Sequence, residues 1–558
     1  MWEPRGHFDL FAVLLVPPDQ PEADIGAIFM DNEGYCPMCG DATISLGRYI
    51  VDKGIARNPI VPQTVVKIQC PCGLIEARVQ NDGKKTGAVS FLSVPSFLYE
   101  KDELRKHYKV VHPENRDASM SYIYGIIVTD DKDEYSKEVG RAPCGSGSSS
   151  RIAQQFGRGL LKMDQTKIFE SRTGGRYRAT PLQAVKCGEY DAVVVEVSEN
   201  GYYTGSSSFS LEDDDDNTQP IRDMATFVTT EMHTCGQPIR IIEKGFPKIL
   251  GDTLRKKMDY LIQEHDHLRK LLMWEPRGHF DLIGVILVQP DHPEADIGAI
   301  FMHNEGYGPM CGDATISLGR YLVDKGIVRN PSIPKTVVKI QCPCGLVEAR
   351  VQNDGKKTGA VSFFSVPSFL YEKDVSVHVS EFGQIVVDIA YGGGFYAIVP
   401  ASQFNLEHKC SCSKLKEFAG ALLDELRTNY KVVHPENNDA CNSYIYGIIV
   451  TDGKYGHDEE VTTNFTLYAD KAVGRAPCGS GSSARIAQQF SRGLIKLDQT
   501  RIFESRTGGR YRATPVKAVK CGDFCAVVVE MSGNGYYTGT SSFSLEENDE
   551  IGKGFLMS

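Results

Sequence analysis

The chain has 558 residues, of which 41% are hydrophobic and 24% charged, with a formal net charge of −11. A chain of this length supports more than one hydrophobic core, on the order of two to four domains. Its acidic balance argues against nucleic acid or an anionic membrane as partner, since both favour a basic face. The first residues, MWEPRGHFDL, are charged from the outset and lack the apolar centre of a signal peptide. No run reaches the roughly 18 uncharged apolar residues of a membrane span. A soluble, cytoplasmic protein is expected.

The 16 cysteines are read as free thiols, because a long chain without a secretory signal is not a disulfide-stapled scaffold. Cys342/Cys344 and Cys410/Cys412 have C-x-C spacing, tighter than the C-x₂-C of a zinc hairpin, and no paired histidines accompany them. No metal is expected, and these are read as buried or strand cysteines.

In chain order, the text that begins at Met1 begins again at Met273, and the two copies then run in near-identical register. Cys39 recurs as Cys311 and Cys144 as Cys478. The first copy, residues 1–212, lacks counterparts of 375–424, of 461–472 and of 224–272. An acidic linker, residues 213–223, follows within LEDDDDNTQP, whose like charges and Pro220 mark exposed chain. Residues 224–558 form the complete copy, and the whole reads as a tandem partial repeat. The missing pieces include Gly383 to Pro400, which reads as two buried strands around a glycine turn, and Thr463 to Ala469, which alternates as another strand. Without them the first copy is left with open sheet edges, and no independent activity is expected of it.

Two segments of the complete copy carry chemistry. Around Cys311, glycines and Pro309 precede the cysteine, and Ile316, Leu318, Leu322 and Val323 then predict a buried helix ending at Gly326. Around Cys478, a second Pro-Cys-Gly turn opens a helix with Ile486, Ala487 and Phe490 on one face. A thiol at a helix N-terminus meets unpaired N–H groups and the positive end of the helix dipole, which predicts a lowered pKa. The same N–H groups can hold a carboxylate. Two such elbows facing one another would place a base on each side of one α-carbon, with no metal or cofactor. Taken singly, each is also what a buried cysteine capping an ordinary helix looks like.

EMHTCGQPIRII, HNEGYGPMCGDATI, DIAYGGGFYAIV and APCGSGSSARIA, in this order, resemble the proline racemase family over roughly residues 224–558. MWEPRGH, CPCGL, VVHPEN and SGNGYYTG are most similar to its trans-3-hydroxy-L-proline dehydratases. The resemblance implies an α/β (α+β), diaminopimelate-epimerase-like fold. In that fold two pseudo-symmetric domains, each a curved sheet around a central helix, contribute one cysteine elbow each. It implies a cofactor-free hydro-lyase: Cys311 removes the Cα proton of an imino acid, Cys478 serves as acid or second base, and loss of the 3-hydroxyl gives pyrroline-2-carboxylate. The substrate carboxylate would rest on Gly312, Gly479 and Ser480. Cys39 and Cys144 would be vestigial. The family's two-subunit assembly implies a homodimer or an internal pseudo-dimer.

Three positions depart from the dehydratase pattern. Cys478 replaces a threonine, which suits a two-base proline racemase or hydroxyproline 2-epimerase. Asp313 replaces a histidine; it could neutralise a substrate ammonium, and its charge should raise the Cys311 thiol. Gly474 replaces an aspartate. A third reading is therefore a degenerate member without turnover. His233 is read equally as a site residue or a structural hydrogen-bonding group. Glu275 to His279 is read as a structural ion network, and Gly392 to Gly394 as a strand turn beside Phe395 and Tyr396 that lines the pocket.

Overall fold

The computed structural model describes residues 10–97, 144–209 and 227–543, apart from 33, 37, 72, 94–95, 172–175, 188–189, 309, 381, 405–410, 437–443, 457–459 and 469–470. Both joins where the first copy lacks sequence, the acidic linker, the first MWEPRGH and Cys410 lie outside the described residues. The chain divides into two compact units, one mainly Gly6–Tyr203 and the other mainly Thr204–Leu545.

The first unit is a ten-stranded sheet carrying helices α1 (Gly40–Asp52) and α2 (Gly145–Gly157). Ile50, Ile152, Phe29, Ile68, Phe91 and Val195 form its core between helices and sheet. Among the described residues, the sheet ends at Ala12–Val16 on one side and at Lys167–Glu170 on the other. At one edge, Ala12–Val16 leaves Leu14 51% exposed, whereas its counterpart in the second unit, Ile286, is 2% exposed, its strand paired with a further strand, Gln237–Lys244, and its side chain clustered with Leu261 and Leu272. At the other edge, Lys167–Glu170 leaves Ile168 60% exposed. The equivalent Arg501–Glu504 is covered by Val461–Tyr468, which the first copy does not possess.

In the second unit the strands form one hydrogen-bonded series that closes on itself. Helices α3 (Leu254–Glu264) and α4 (Asp266–Met273) cover its N-terminal strands through Leu261, Leu271 and Leu272. Helix α5 (Gly312–Asp324) fills the first half, packed on Phe227–Thr234, Gly345–Asn353 and Thr358–Phe364. Gly319 allows that fit, since a Cβ there would stand 3.0 Å from Val361 and 3.2 Å from Ala349. Ile316, Leu318 and Leu322 are fully buried, each worth about 1.5–3 kcal/mol. The helix ends at Lys325, followed by Gly326 at φ 65, the left-handed position that glycine adopts most readily. Helix α6 (Cys412–Asn429) and α7 (Gly479–Ser491) belong to the second half, where α7 packs on Ser368–Val379, Gly383–Tyr391 and Phe395–Pro400. The two strands expected around the glycine turn are therefore present as Gly383–Tyr391 and Phe395–Pro400, and the third as Val461–Tyr468. Strand Phe524–Gly533 pairs with Thr358–Phe364 and with Ser368–Val379, joining the halves.

One buried arginine fixes α7. Arg485 is 2% exposed and donates to the Thr463 carbonyl, Asn464 Oδ1, the Lys454 carbonyl and Thr462 Oγ1. Burial lowers its pKa to about 10, which leaves it charged at neutral pH, and those acceptors offset part of the cost of burying that charge. Three of them lie on Val461–Tyr468. Arg485 and the first copy's Arg151 each rest over a phenylalanine ring, Phe503 and Phe169, but the first copy lacks that strand.

Candidate active site

The N-termini of α5 and α7 meet end to end. A Cβ built on Gly312 would lie 3.6 Å from the Gly479 Cα, and one on Gly479 would lie 3.7 Å from the Gly312 Cα. Phe363 lies beneath both, 3.0 Å and 3.6 Å from the same points. Glycine at both positions lets the two backbones approach, and the preceding residues, Cys311 and Cys478, are thereby brought to one place.

The elbows differ in form. Cys311 is extended, with φ −130 and ψ 124. Cys478 has φ 65 and ψ 116, a conformation that costs a residue with a side chain about 1–3 kcal/mol. Surrounding bonds hold it there. Its Sγ accepts from the Gly481 N–H at 3.4 Å, and Asn464 Nδ2 donates to the Pro477 carbonyl at 3.2 Å and to Ser482 Oγ at 3.1 Å. Gly392 abuts the same helix turn: a Cβ there would meet the Ser480 carbonyl at 2.2 Å and the Ala484 nitrogen at 2.4 Å.

A row of tyrosines leads away from Cys478. The Tyr396 hydroxyl is 3.4 Å from Cys478 Sγ and 2.7 Å from Ser480 Oγ. Tyr446 meets Tyr396 edge-on at 5.7 Å and stacks on Tyr468 at 5.9 Å. Tyr468 donates to Asp281 Oδ1 at 2.9 Å, and Arg475 forms an ion pair with the same carboxylate. Asp281 was not singled out by the sequence reading. It supplies a largely enclosed carboxylate beside the second elbow, in a region where Gly474 leaves little space: a Cβ on Gly474 would be 3.3 Å from the Tyr468 ring and 3.4 Å from the Ala476 carbonyl.

Asp313 is half-buried on the other side. Tyr511 donates to its carboxylate, and Thr234 Oγ1 donates to its carbonyl at 2.8 Å. Burial pushes its pKa up to about 6, the Tyr511 bond opposes this, and the charge of Asp281 adds to it. Burial, and then the charge of Asp313, push both Cys311 and Cys478 upward. The same two causes raise Cys235 to about 12. This corrects the expectation that helix N-termini lower these thiols. The N–H groups do favour the thiolates, through Asp313 and Ala314 for Cys311 and through Gly481 for Cys478, but desolvation outweighs them. The expected effect of Asp313 on Cys311 has the anticipated sign.

Cys311, Gly312, Asp313, Cys478, Gly479 and Ser480 therefore share one place. His233 instead closes the hairpin turn at Thr234–Gln237: its Nδ1 accepts from the Gly236 N–H at 3.1 Å and its ring stacks on Tyr536. Glu275 and Arg277 are buried, and Arg240 donates to the Arg277 and Leu272 carbonyls, so this segment is framework. Of the C-x-C cysteines, Cys342 is a buried strand residue, but Cys344 is exposed in a turn and Cys412 exposed at the start of α6. The reading of these two as buried or strand cysteines is overturned. Among the described residues no group of three His, Cys, Asp or Glu is arranged to hold a metal, and no helix is long and apolar enough to cross a membrane.

The first unit repeats the elbow geometry without its surroundings. A Cβ on Gly40 would be 2.9 Å from the Gly145 Cα, and Tyr177 donates to Asp41 as Tyr511 does to Asp313. Yet Cys144 is exposed, and Gly392, Tyr396 and Tyr468 fall in the stretches the first copy lacks.

Comparison with known proteins identifies the family. The family model described as "Proline racemase" matches residues 1–104, 101–221 and 229–556. The trans-L-3-hydroxyproline dehydratase of Xenopus tropicalis is 46% identical over 340 residues, covering 61% of this chain and 97% of the relative. The human trans-3-hydroxy-L-proline dehydratase is 45% identical over 333 residues, covering 59% and 93%. Among solved structures, a hydroxyproline epimerase from Agrobacterium vitis with bound trans-4-hydroxy-L-proline superposes with a TM-score of 0.53 at 27% identity, covering 60% of this chain and 96% of its own. A probable proline racemase from Agrobacterium radiobacter K84, with bound carbonate, gives the same score and identity over 59% and 96%. With matches over both copies, this chain belongs to the proline racemase family.

Proposed function

We propose that this protein is a trans-3-hydroxy-L-proline dehydratase, a hydro-lyase that works through two cysteines without a cofactor. The observation that carries the reading is the end-to-end meeting of α5 and α7 at Gly312 and Gly479, each headed by a cysteine. The 46% and 45% identity to dehydratases supports the substrate.

The substrate carboxylate lies against the N–H groups of Gly312, Gly479 and Ser480, where helix dipoles favour negative charge. Asp313 faces the ring ammonium. Cys311 thiolate takes the Cα proton. The electron pair left on Cα forms the Cα–Cβ double bond as the C3–O bond breaks. The departing hydroxyl takes a proton from Cys478 and leaves as water, giving pyrroline-2-carboxylate. Tyr396, in contact with Cys478 and Ser480, positions the acid. The complete unit, residues 224–558, performs this in the cytoplasm. The 1–212 copy, whose Cys39 and Cys144 lack the tyrosine wall, contributes no turnover.

A second reading has a specific basis. With a thiol at both elbows, Cys478 can return a proton to the opposite face of Cα, which is racemisation or 2-epimerisation. Proton NMR in D₂O distinguishes them, using the full chain with trans-3-hydroxy-L-proline and, separately, L-proline. Appearance of pyrroline carboxylate from the first supports the dehydratase. Cα deuteration with the hydroxyl retained, or exchange on L-proline, replaces it with the racemase or epimerase. No change in either tube rejects both and leaves a degenerate family member.

A further inference from the structure

Among the described residues, one face of α1 in the first unit is open where the same face of α5 is covered. A groove of about 540 Å³ runs along it, lined by Phe11, Val13, Leu15, Ala42, Ser45 and Tyr49 among others. Ser45 is exposed, whereas its counterpart Ser317 is buried, and Tyr49 is half-buried where Tyr321 is buried. In the second unit a hairpin provides the cover. Thr234, on Phe227–Thr234, brings its Oγ1 within 2.7 Å of Ser317 Oγ. Glu243, on Gln237–Lys244, accepts from the Tyr321 hydroxyl at 2.9 Å and pairs with Lys325 at 3.4 Å. The first copy keeps Ser45, Tyr49 and Lys53, but the hairpin falls in the 224–272 stretch that it lacks.

One segment outside the described residues has the reach and the chemistry to fill this groove. The described chain ends at Phe543, which faces Gly205, and Tyr203, two residues before Gly205, lines the groove. Residues 544–558, SLEENDEIGKGFLMS, follow. Extended, they can span on the order of 50 Å, several times the width of a helix. Residues 551–555, IGKGF, repeat residues 242–246, IEKGF, at four of five positions. In the second unit Ile242 pairs beside Ile286, and Phe246 meets Phe227 edge-on at 5.8 Å. The counterpart of Ile286 is the exposed Leu14, on the edge strand Ala12–Val16. Four carboxylates, Glu546, Glu547, Asp549 and Glu550, precede Ile551. Tyr49 and Lys53 offer them the hydroxyl and ammonium that Tyr321 and Lys325 give to Glu243.

We infer that the C-terminal tail, residues 544–558, docks in this groove as a strand beside Ala12–Val16, with Ile551 next to Leu14 and the carboxylates toward Tyr49 and Lys53. The tail thereby stands in for the hairpin that the first copy lacks. An exposed apolar face and an unpaired strand edge both invite wrong association, and one added strand covers both.

Hydrogen exchange of the full chain, read by mass spectrometry, tests this. In the wild type, peptides covering Ala12–Val16 and Gly40–Asp52 are expected to be protected. Ile551→Asp/Phe555→Asp sets two charges against an apolar groove. It should remove that protection and leave Gly312–Asp324 of the second unit unchanged. A labelled synthetic peptide of residues 544–558 should then bind the doubly substituted chain, by fluorescence anisotropy, and restore the protection. A peptide carrying the same two aspartates should do neither. Adding Ala42→Arg, which fills the groove, should abolish binding of the wild-type peptide. Where the double substitution loosens the whole first unit, Gly145–Gly157 included, rescue still decides: protection restored by the peptide supports docking, and none overturns it. The inference is overturned if the double substitution leaves exchange of Ala12–Val16 and Gly40–Asp52 as in the wild type, or if the peptide binds the Ala42→Arg chain equally well. It is equally overturned if removal of residues 1–9, and not alteration of the tail, is what opens the groove.

Discussion

The position of the second elbow rests on Gly392, and Gly392→Ala measures how much the chemistry depends on it. The added methyl carbon would sit 2.2 Å from the Ser480 carbonyl oxygen and 2.4 Å from the Ala484 nitrogen, both backbone atoms of the first turns of α7. Ordinary contact begins at about 3.4 Å, so the glycine turn and α7 must separate by roughly 1.2 Å. Backbone cannot rotate aside as a side chain would. Overpacking of this kind costs about 1–3 kcal/mol, a loss of a few degrees in Tm for a unit of this size. The effect on rate should be larger, because a reacting group misplaced by about 1 Å costs on the order of 10²-fold. Cys478, Ser480 and their contacts with Tyr396 all move with that turn. The assay is loss of the substrate's 3-hydroxyl signals by NMR, with Tm measured in parallel. Gly306→Ala is the control, since a Cβ there meets nothing within 4 Å. A Gly392→Ala protein with wild-type turnover would refute the argument, as would one whose loss of rate is no greater than that of Gly306→Ala.

Further outcomes are expected. Cys311→Ala should abolish turnover, whereas Cys478→Thr should leave dehydration of the order of wild type while eliminating any inversion at Cα; NMR in D₂O reads both. Asp313→Asn should move the rising limb of the pH–rate profile to lower pH, because the like charge that raises Cys311 is removed. The same substitution reports on stability. The folded-state pKa of Asp313 is raised from 3.8 to about 6, so its contribution is present at low pH and lost as pH rises through about 6. Relative to wild type, Asp313→Asn should therefore gain up to about 3 kcal/mol between pH 4 and pH 7, measured by chemical denaturation. In the full chain, Cys39→Ser/Cys144→Ser should leave the rate unchanged, since those thiols lack the tyrosine wall.

The elbows were legible because their signal is local. Proline, cysteine and glycine ahead of an amphipathic stretch specify a turn into a helix, and α5 and α7 begin one residue after Cys311 and Cys478. The strands around Gly392–Gly394 were legible for the same reason, as runs of β-branched and aromatic residues broken by glycine. The direction of the thiol pKa values was not, because a helix terminus is written in a few residues whereas burial is assembled from the whole unit. Asp281 was missed because its partners Tyr468 and Arg475 are nearly two hundred residues away in sequence. Tyr396 had been noted only as a neighbour of the glycine turn. Its approach to Cys478 depends on the strands before and after α6, Phe395–Pro400 and Ile445–Thr451, pairing in parallel, which no local pattern announces.

The repeat turns this distinction into an internal control. Both copies carry the same two elbows, and both bring their glycines together over a phenylalanine, Phe363 in one and Phe91 in the other. The motifs alone are thus enough to make the helices meet. What the first copy lacks is the material that dries and orients the pair. It has no counterpart of Gly392 or of Tyr396, and none of the Val461–Tyr468 strand that holds both Arg485 and Tyr468. Its second thiol is accordingly exposed, where that of the complete copy is half-buried. A thiol in water faces bulk solvent as its competing acid and base, and an α-proton held beside it gains little from a second thiol opposite. On the proposed mechanism the chemistry would depend less on the two cysteines than on the strands that enclose them, and the stretches the first copy lacks are where that enclosure is encoded.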